Sequence, residues 1–286
     1  MSSLRTFSYE DNMYSRVYTE ITNICNRNCS FCPGTKRAKR MITEEEFTTL
    51  CEKLQGVTKY IYLHVMGEPL THPRLPQLIT IGKSMGFNVC ITTNGTLLEK
   101  RGREIVEAGV YKVNISVHSF EDGEKADHLA YMKSCLDFAD YASENGVLTV
   151  LRLWNRGHDG GLNEETEKLM HEKFPGDWSV GVRGARIRHR LHLEWGDRFE
   201  WPDTEAEDCG NKVFCHGLGD HFGVLVDGTV VPCCLDREGV INLGNVYTDD
   251  INEILESERA VAIREGFKCR SATEELCRKC GYARRF

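Results

Sequence analysis

The sequence predicts an α/β protein, an incomplete TIM-like (β/α)6 barrel carrying a small carboxyl-terminal cysteine-rich module. Three observations predict it. Apolar, β-rich runs alternate with helix-like segments through the first two-thirds of the chain, the pattern of βα units wound around a parallel sheet. About six such units can be counted, too few to close an eight-stranded barrel. After about Asp203 the alternation stops, and seven of the 13 cysteines follow. The expected division is a barrel over 14–202 and a module over 203–286.

The elements follow in order. Ser15–Asn23 reads as a strand running into the first cysteines. Thr43 and Glu46 form a capping box, and Phe47, Leu50, Cys51 and Leu54 recur at i, i+3, i+4 and i+7, one face of a helix over Thr43–Leu54. Strand Lys59–Val65 precedes a helix over Arg74–Met85, and strand Phe87–Thr92 one over Leu97–Ala108. Strand Tyr111–Val117 precedes a longer helix over Gly123–Asn145, and strand Val147–Leu153 a helix over Glu164–Lys173. A sixth strand is expected within Trp178–Leu193. In the module, Phe222–Val226 and Thr229–Pro232 flank Asp227-Gly228, which predicts a hairpin with a type I′ turn. A short helix near Asp250–Glu256 leads into the cysteine-rich tail.

Composition narrows the function classes. The chain has 286 residues with 43 acidic against 36 basic, a formal net charge of -7. This balance argues against a general nucleic-acid scaffold. No run approaches the roughly 18 apolar residues of a membrane helix, and the start MSSLRTFSYED lacks a signal-peptide core. A soluble, cytoplasmic protein with no membrane partner is expected. In that reduced compartment 13 cysteines do not read as a disulfide framework, and their two clusters suggest two metal sites.

Function in such folds sits on loops at the carboxyl ends of the strands. The first motif there is Cys25-x3-Cys29-x2-Cys32, with Phe31 beside the last cysteine. Three thiolates on one loop can hold three irons of a cubane cluster and leave the fourth open. The bland alternative is a zinc knuckle borrowing a distant fourth ligand. Met66-Gly67-Glu68-Pro69 follows strand two and Thr93-Asn94-Gly95 follows strand three. Each is only a turn signature by itself.

Together these residues resemble the radical S-adenosylmethionine (SAM) superfamily. The resemblance implies a [4Fe–4S] cluster on Cys25, Cys29 and Cys32 whose open iron chelates SAM. One electron then breaks a sulfur–carbon bond and releases a 5′-deoxyadenosyl radical. It also implies that Phe31, Met66, Gly67, Glu68, Thr93 and Asn94 border the cofactor, with the Glu68 carboxylate on the methionine ammonium. A second glycine is usual in the family where Met66 stands. Ser116 and Arg152 are candidates for the ribose or carboxylate, and both could be ordinary barrel residues. His118 reads as a satisfied core histidine.

The second constellation is Cys215, Cys233, Cys277 and Cys280. Four thiolates close a site, and geometry alone leaves zinc and an iron–sulfur cluster equally open. With the first motif beside it, the layout resembles the SPASM and twitch modules, the one-cluster twitch form fitting better, and implies a second, auxiliary [4Fe–4S] cluster. Cys209, Cys234 and Cys269 are left over, and Cys234 could replace Cys233 as ligand. Between the modules Arg183, Arg186, Arg188 and Arg190 interleave with His189 and His192. Alternate arginines share one face of a strand, which is either solvated or aimed at an anionic substrate or RNA at the barrel mouth.

The resemblance implies an oxidoreductase-type enzyme that takes a hydrogen atom from an unactivated C–H bond and passes the remaining electron to the auxiliary cluster. A sugar or cyclitol alcohol is the expected substrate. Maturation of a peptide or protein side chain is the alternative, against which the barrel is expected to begin at once, with no preceding domain to hold a leader peptide. A non-catalytic iron–sulfur electron carrier is the reading from another class. An electron donor such as flavodoxin or ferredoxin is the expected protein partner.

Overall fold

A computed structural model describes residues 13–121 and 125–285. Gly123, the expected start of the fourth helix, and the amino-terminal MSSLRTFSYED stretch lie outside them. The alternation runs β1 (Arg16–Thr19), α1 (Glu44–Leu54), β2 (Tyr60–Tyr62), α2 (Leu75–Ser84), β3 (Asn88–Thr93), α3 (Leu98–Glu107), β4 (Lys112–Ser116), α4 (Lys125–Glu144), β5 (Leu148–Arg156) and α5 (Leu162–Lys173). There follow β6 (Ser179–Gly181), β7 (Gly184–Arg188), β8 (Leu191–Asp197), β9 (His221–Val224), β10 (Val230–Val231), α6 (Ile251–Leu255), α7 (Glu258–Lys268) and α8 (Glu275–Arg278).

The capping box forms as read: Thr43 accepts from the Glu46 amide and Glu46 from that of Thr43. Phe47, Leu50, Cys51 and Leu54 are the buried face of α1. They join a core built from one face of the sheet and the inner stripes of the helices, with Val17, Ile61, Ile91, Val113 and Leu151 at its centre.

All ten strands form one open sheet in the order β10-β9-β1-β2-β3-β4-β5-β8-β7-β6. The seven from β9 to β8 are mutually parallel, the partial barrel expected. Two details differ. The sixth strand is not one strand: Trp178–Leu193 folds as antiparallel β6–β7–β8, and only β8 returns parallel to β5. Glycine pairs with glycine at the β6–β7 end, which lets the chain reverse in place of a helix. The module is also not separate from the barrel sheet, because β9 pairs in parallel with β1 over its whole length.

The hairpin joining β9 and β10 has a longer turn than expected. Val230 pairs with Val224, the Gly228 amide donates to Leu225 O at 2.9 Å, and φ is positive at Gly228 but not at Asp227. That is a type I turn closed by a left-handed glycine, whereas type I′ needs positive φ at both central residues. Past α6, a second helix, α7, and the short α8 form part of the cysteine-rich tail. The arginine row does not share a face either. The β7–β8 register shifts between Arg186 and Arg188, and Arg188 lies against α4, donating to Asp140 Oδ1 at 2.5 Å and Ser143 Oγ at 2.8 Å. Among the described residues no helix is long and apolar enough to cross a membrane.

Candidate functional site

Cys25, Cys29 and Cys32 occupy the loop leaving the carboxyl end of β1. The Cys32 amide donates to Cys29 O at 3.0 Å, a turn that holds those two residues together. The Arg27 amide reaches Cys25 Sγ at 3.4 Å. The loop is strapped to the segment after β4: the Arg27 guanidinium donates to Ser119 O at 2.9 Å, and Ser30 gives both its amide and hydroxyl to the Glu121 carboxylate at 2.6 Å. Phe31 packs 5.1 Å from the His118 ring. His118 is satisfied by Arg152 O, 2.9 Å from Nδ1, and burial lowers its pKa.

Gly67 and Glu68 lie against the same loop from the next strand. The Glu68 amide donates to Ile24 O at 2.9 Å. Gly67 has φ +79, and a Cβ there would collide with Thr22 O and stand 2.9 Å from Ile24 O. Its glycine requirement therefore comes from the chain's own backbone as well as from any ligand. The Glu68 carboxylate is 1% exposed and accepts from the Leu70 amide (3.0 Å), Thr93 Oγ1 (2.7 Å) and the Asn94 amide (2.7 Å). Burial outweighs these donors and raises its pKa to about 7. Three of its roughly four lone-pair sites are thus filled, one by Leu70 of its own loop and two, from Thr93 and Asn94, bracing that loop to the end of β3. Asn94 continues the brace, its Nδ2 lying 2.9 Å from Asn26 Oδ1 and 3.9 Å from Cys25 Sγ.

Ser116, at the end of β4, is the register neighbour of Arg152, in the middle of β5. Arg152 pairs with Glu194 on β8 at 2.9 Å and stacks over the Trp154 ring. It lines a cavity of about 430 Å³ that is also walled by Cys215, Cys233, Cys234, Cys277 and Cys280. Burial, then the negative charge of neighbouring thiols, pushes the pKa of Cys233 and Cys277 up. Burial also raises Cys215 and Cys280. Such a cluster of thiols, once ionised, needs positive charge among them, which a bound metal centre would supply. The Gly217 amide donates to Cys215 Sγ at 3.4 Å. Among the described residues no group closes to the spacing of a single-ion site. Cys234 faces the cavity beside Cys233, so both remain available as ligand. Cys209 and Cys269 are exposed, while Cys51, Cys90 and Cys135 are buried far from either set in the sequence.

A small apolar cluster of Val65, Met66, Leu225 and Val231 touches Cys32 on one side and Cys234 on the other. Glu20, which sequence reasoning passed over, ties these parts together. Its buried carboxylate accepts from the amides of Met66 (3.1 Å) and Val226 (3.0 Å) and pairs with Arg37 at 2.6 Å. Also missed were the cavity-lining Arg16, Tyr18, Tyr62, His64 and Lys112. Their signal was present in the strand parity: polar side chains at alternate positions of otherwise apolar strands point to the sheet's other face.

Residues 19–171 match the Radical SAM superfamily, and residues 215–281 match SPASM, described as an iron-sulfur cluster-binding domain. The chain belongs to the radical SAM superfamily. Membership brings a [4Fe–4S] cluster with SAM, and the SPASM domain brings auxiliary iron–sulfur binding. Radical SAM enzymes act on small-molecule or peptide substrates and need a reductant. The chain is similar to the probable GTP 3',8-cyclase of Methanothermobacter marburgensis, 33% identical over 285 residues, 86% of this chain and 90% of that one. A shorter match is to the GTP 3',8-cyclase of Chlorobaculum tepidum, 34% identical over 109 residues, 37% of this chain and 33% of that one. Among solved structures, BtrN in complex with AdoMet and 2-DOIA shares the fold, with a TM-score of 0.59 at 19% identity, over 94% of this chain and 93% of that one.

Proposed function

We propose that this radical SAM enzyme oxidises a small sugar- or cyclitol-type molecule held in the 430 Å³ cavity. The observation that carries the reading is that five thiols of the SPASM region and Arg152 of β5 wall one cavity. When bound, the first cluster and SAM supply a 5′-deoxyadenosyl radical that removes a hydrogen atom, and the second cluster supplies an acceptor for the electron left behind. With a proton also lost, the substrate gives up two electrons and two protons in all. Cys25, Cys29 and Cys32 hold the first cluster; Cys215, Cys233, Cys277 and Cys280 hold the second. Phe31, Met66, Gly67, Glu68, Thr93, Asn94, Ser116 and Arg152 surround SAM. The barrel over 14–202 supplies the radical site and 203–286 the acceptor, with a flavodoxin or ferredoxin as reductant.

The test is metal content after anaerobic reconstitution. A Cys25→Ala, Cys29→Ala, Cys32→Ala chain is expected to retain a reducible iron–sulfur cluster on the remaining thiols. Zinc without iron in that variant would remove the electron acceptor, because zinc has no redox chemistry, and with it the oxidation. A purine nucleotide substrate is the second reading, favoured by the similarity to GTP 3',8-cyclases across most of the chain. Conversion of GTP by the reconstituted enzyme would decide for it.

A further inference from the structure

The lower part of the cavity is lined by a cation, Lys112, that has no ion-pair partner among the described residues. Lys112 opens β4, four residues below Ser116, which places it about 13 Å below the strand end at about 3.3 Å per residue. In register across the sheet, Tyr18, Tyr62, Cys90 and Lys112 form one row. Three cations line the cavity: Arg16, Lys112 and Arg152. Two are matched, Arg16 by Asp220 at 2.7 Å and Arg152 by Glu194 at 2.9 Å. Lys112 has no carboxylate at ion-pair distance among the described residues. Burial, then the nearby Arg152, lower its pKa, and the carboxylate of Glu194 on β8 offsets this only in part.

Buried donors are satisfied in working proteins, and leaving them unpaired is costly. A neutral alcohol would supply one or two acceptors and no charge. An oxyanion supplies several acceptors and the missing negative charge at once. We propose that the substrate carries an oxyanion group, a phosphate or a carboxylate, seated on Lys112 low in the cavity, with the reacting carbon above it, toward the level of Ser116 and Arg152. The proposal rests on the reading that this cavity holds the substrate and narrows its class to anionic small molecules. Glu194 and Asp220 fix the flanking guanidinium groups and leave Lys112 as the charge that the ligand must match.

The test is equilibrium titration of the reconstituted holoenzyme, with SAM saturating so that its own carboxylate is excluded. Inorganic phosphate and acetate are the probes, at ionic strength held constant with chloride. Saturable binding of phosphate alone assigns a phosphorylated substrate, and binding of acetate as tight or tighter assigns a carboxylate. In Lys112→Met the affinity for the bound probe is expected to fall by roughly tenfold or more, the effect of losing a charged hydrogen bond. Should that variant lose iron, Lys112→Gln replaces it. No saturable binding of either anion, or equal affinity in a folded Lys112 variant, overturns the proposal. The radical reading is scored separately, by 5′-deoxyadenosine release, so its failure and this one are distinguishable.

Discussion

Glu68 shows how one residue serves both the fold and the site. Its carboxylate collects three donors from two loops and is buried with them. Glu68→Ala leaves the Leu70, Thr93 and Asn94 donors unpaired, and a loss of about 2–4 kcal/mol is expected in anaerobic urea unfolding. The same group sets a pH dependence. Its folded pKa of about 7 lies above the ordinary 4.5, so between those values the folded state binds more protons than the unfolded one. Stability therefore falls as pH rises through that window and levels off above about 7. Wild type should lose more stability than Glu68→Ala between about pH 6 and about pH 8. Equal losses would show that Glu68 is ionised throughout. Gly67 and Glu68 were legible in the sequence as a motif, but not their bracing role, which depends on which backbone groups of neighbouring strands lie opposite them.

At the scale of elements, the cysteine loop has no regular structure of its own and takes its shape from its straps. Ser30 and Arg27 fasten it to the segment after β4. Glu121→Ala removes two of those bonds without touching a core residue, so iron should be lost faster to a chelator while the circular dichroism spectrum stays unchanged. Iron retained at the wild-type rate would show that the loop is held by its cluster alone. The helices were legible because their apolar periodicity and caps are local, as at Thr43 and Glu46. The three-strand return at Trp178–Leu193 was not, because short strands and a register shift leave no period to read. The partners of the arginines depended on that shift: Arg188 pairs with Asp140, 48 residues earlier.

At the scale of the whole molecule, the two cysteine sets are joined by sheet pairing. β9 adds to the edge of β1, and the Glu20 carboxylate takes a donor from Val226 beyond it. A chain ended near residue 202 would expose that edge and leave the Glu20 carboxylate without one of its donors. It should be insoluble or melt well below the full chain, and a barrel that folds unaided with an unchanged melting temperature would contradict the continuity argued from β9. The family and its iron–sulfur module were legible because thiol spacing carries their motifs. The cavity's cations were not, because Arg16, Lys112 and Arg152 lie on three strands and come to line one cavity only in the fold. In the proposed function Cys25, Cys29 and Cys32 drive reductive cleavage of SAM. The direct measurement is 5′-deoxyadenosine released on reduction with dithionite in the presence of SAM. The reconstituted wild-type chain should release it and the triple alanine variant should release none; release by both would contradict the account.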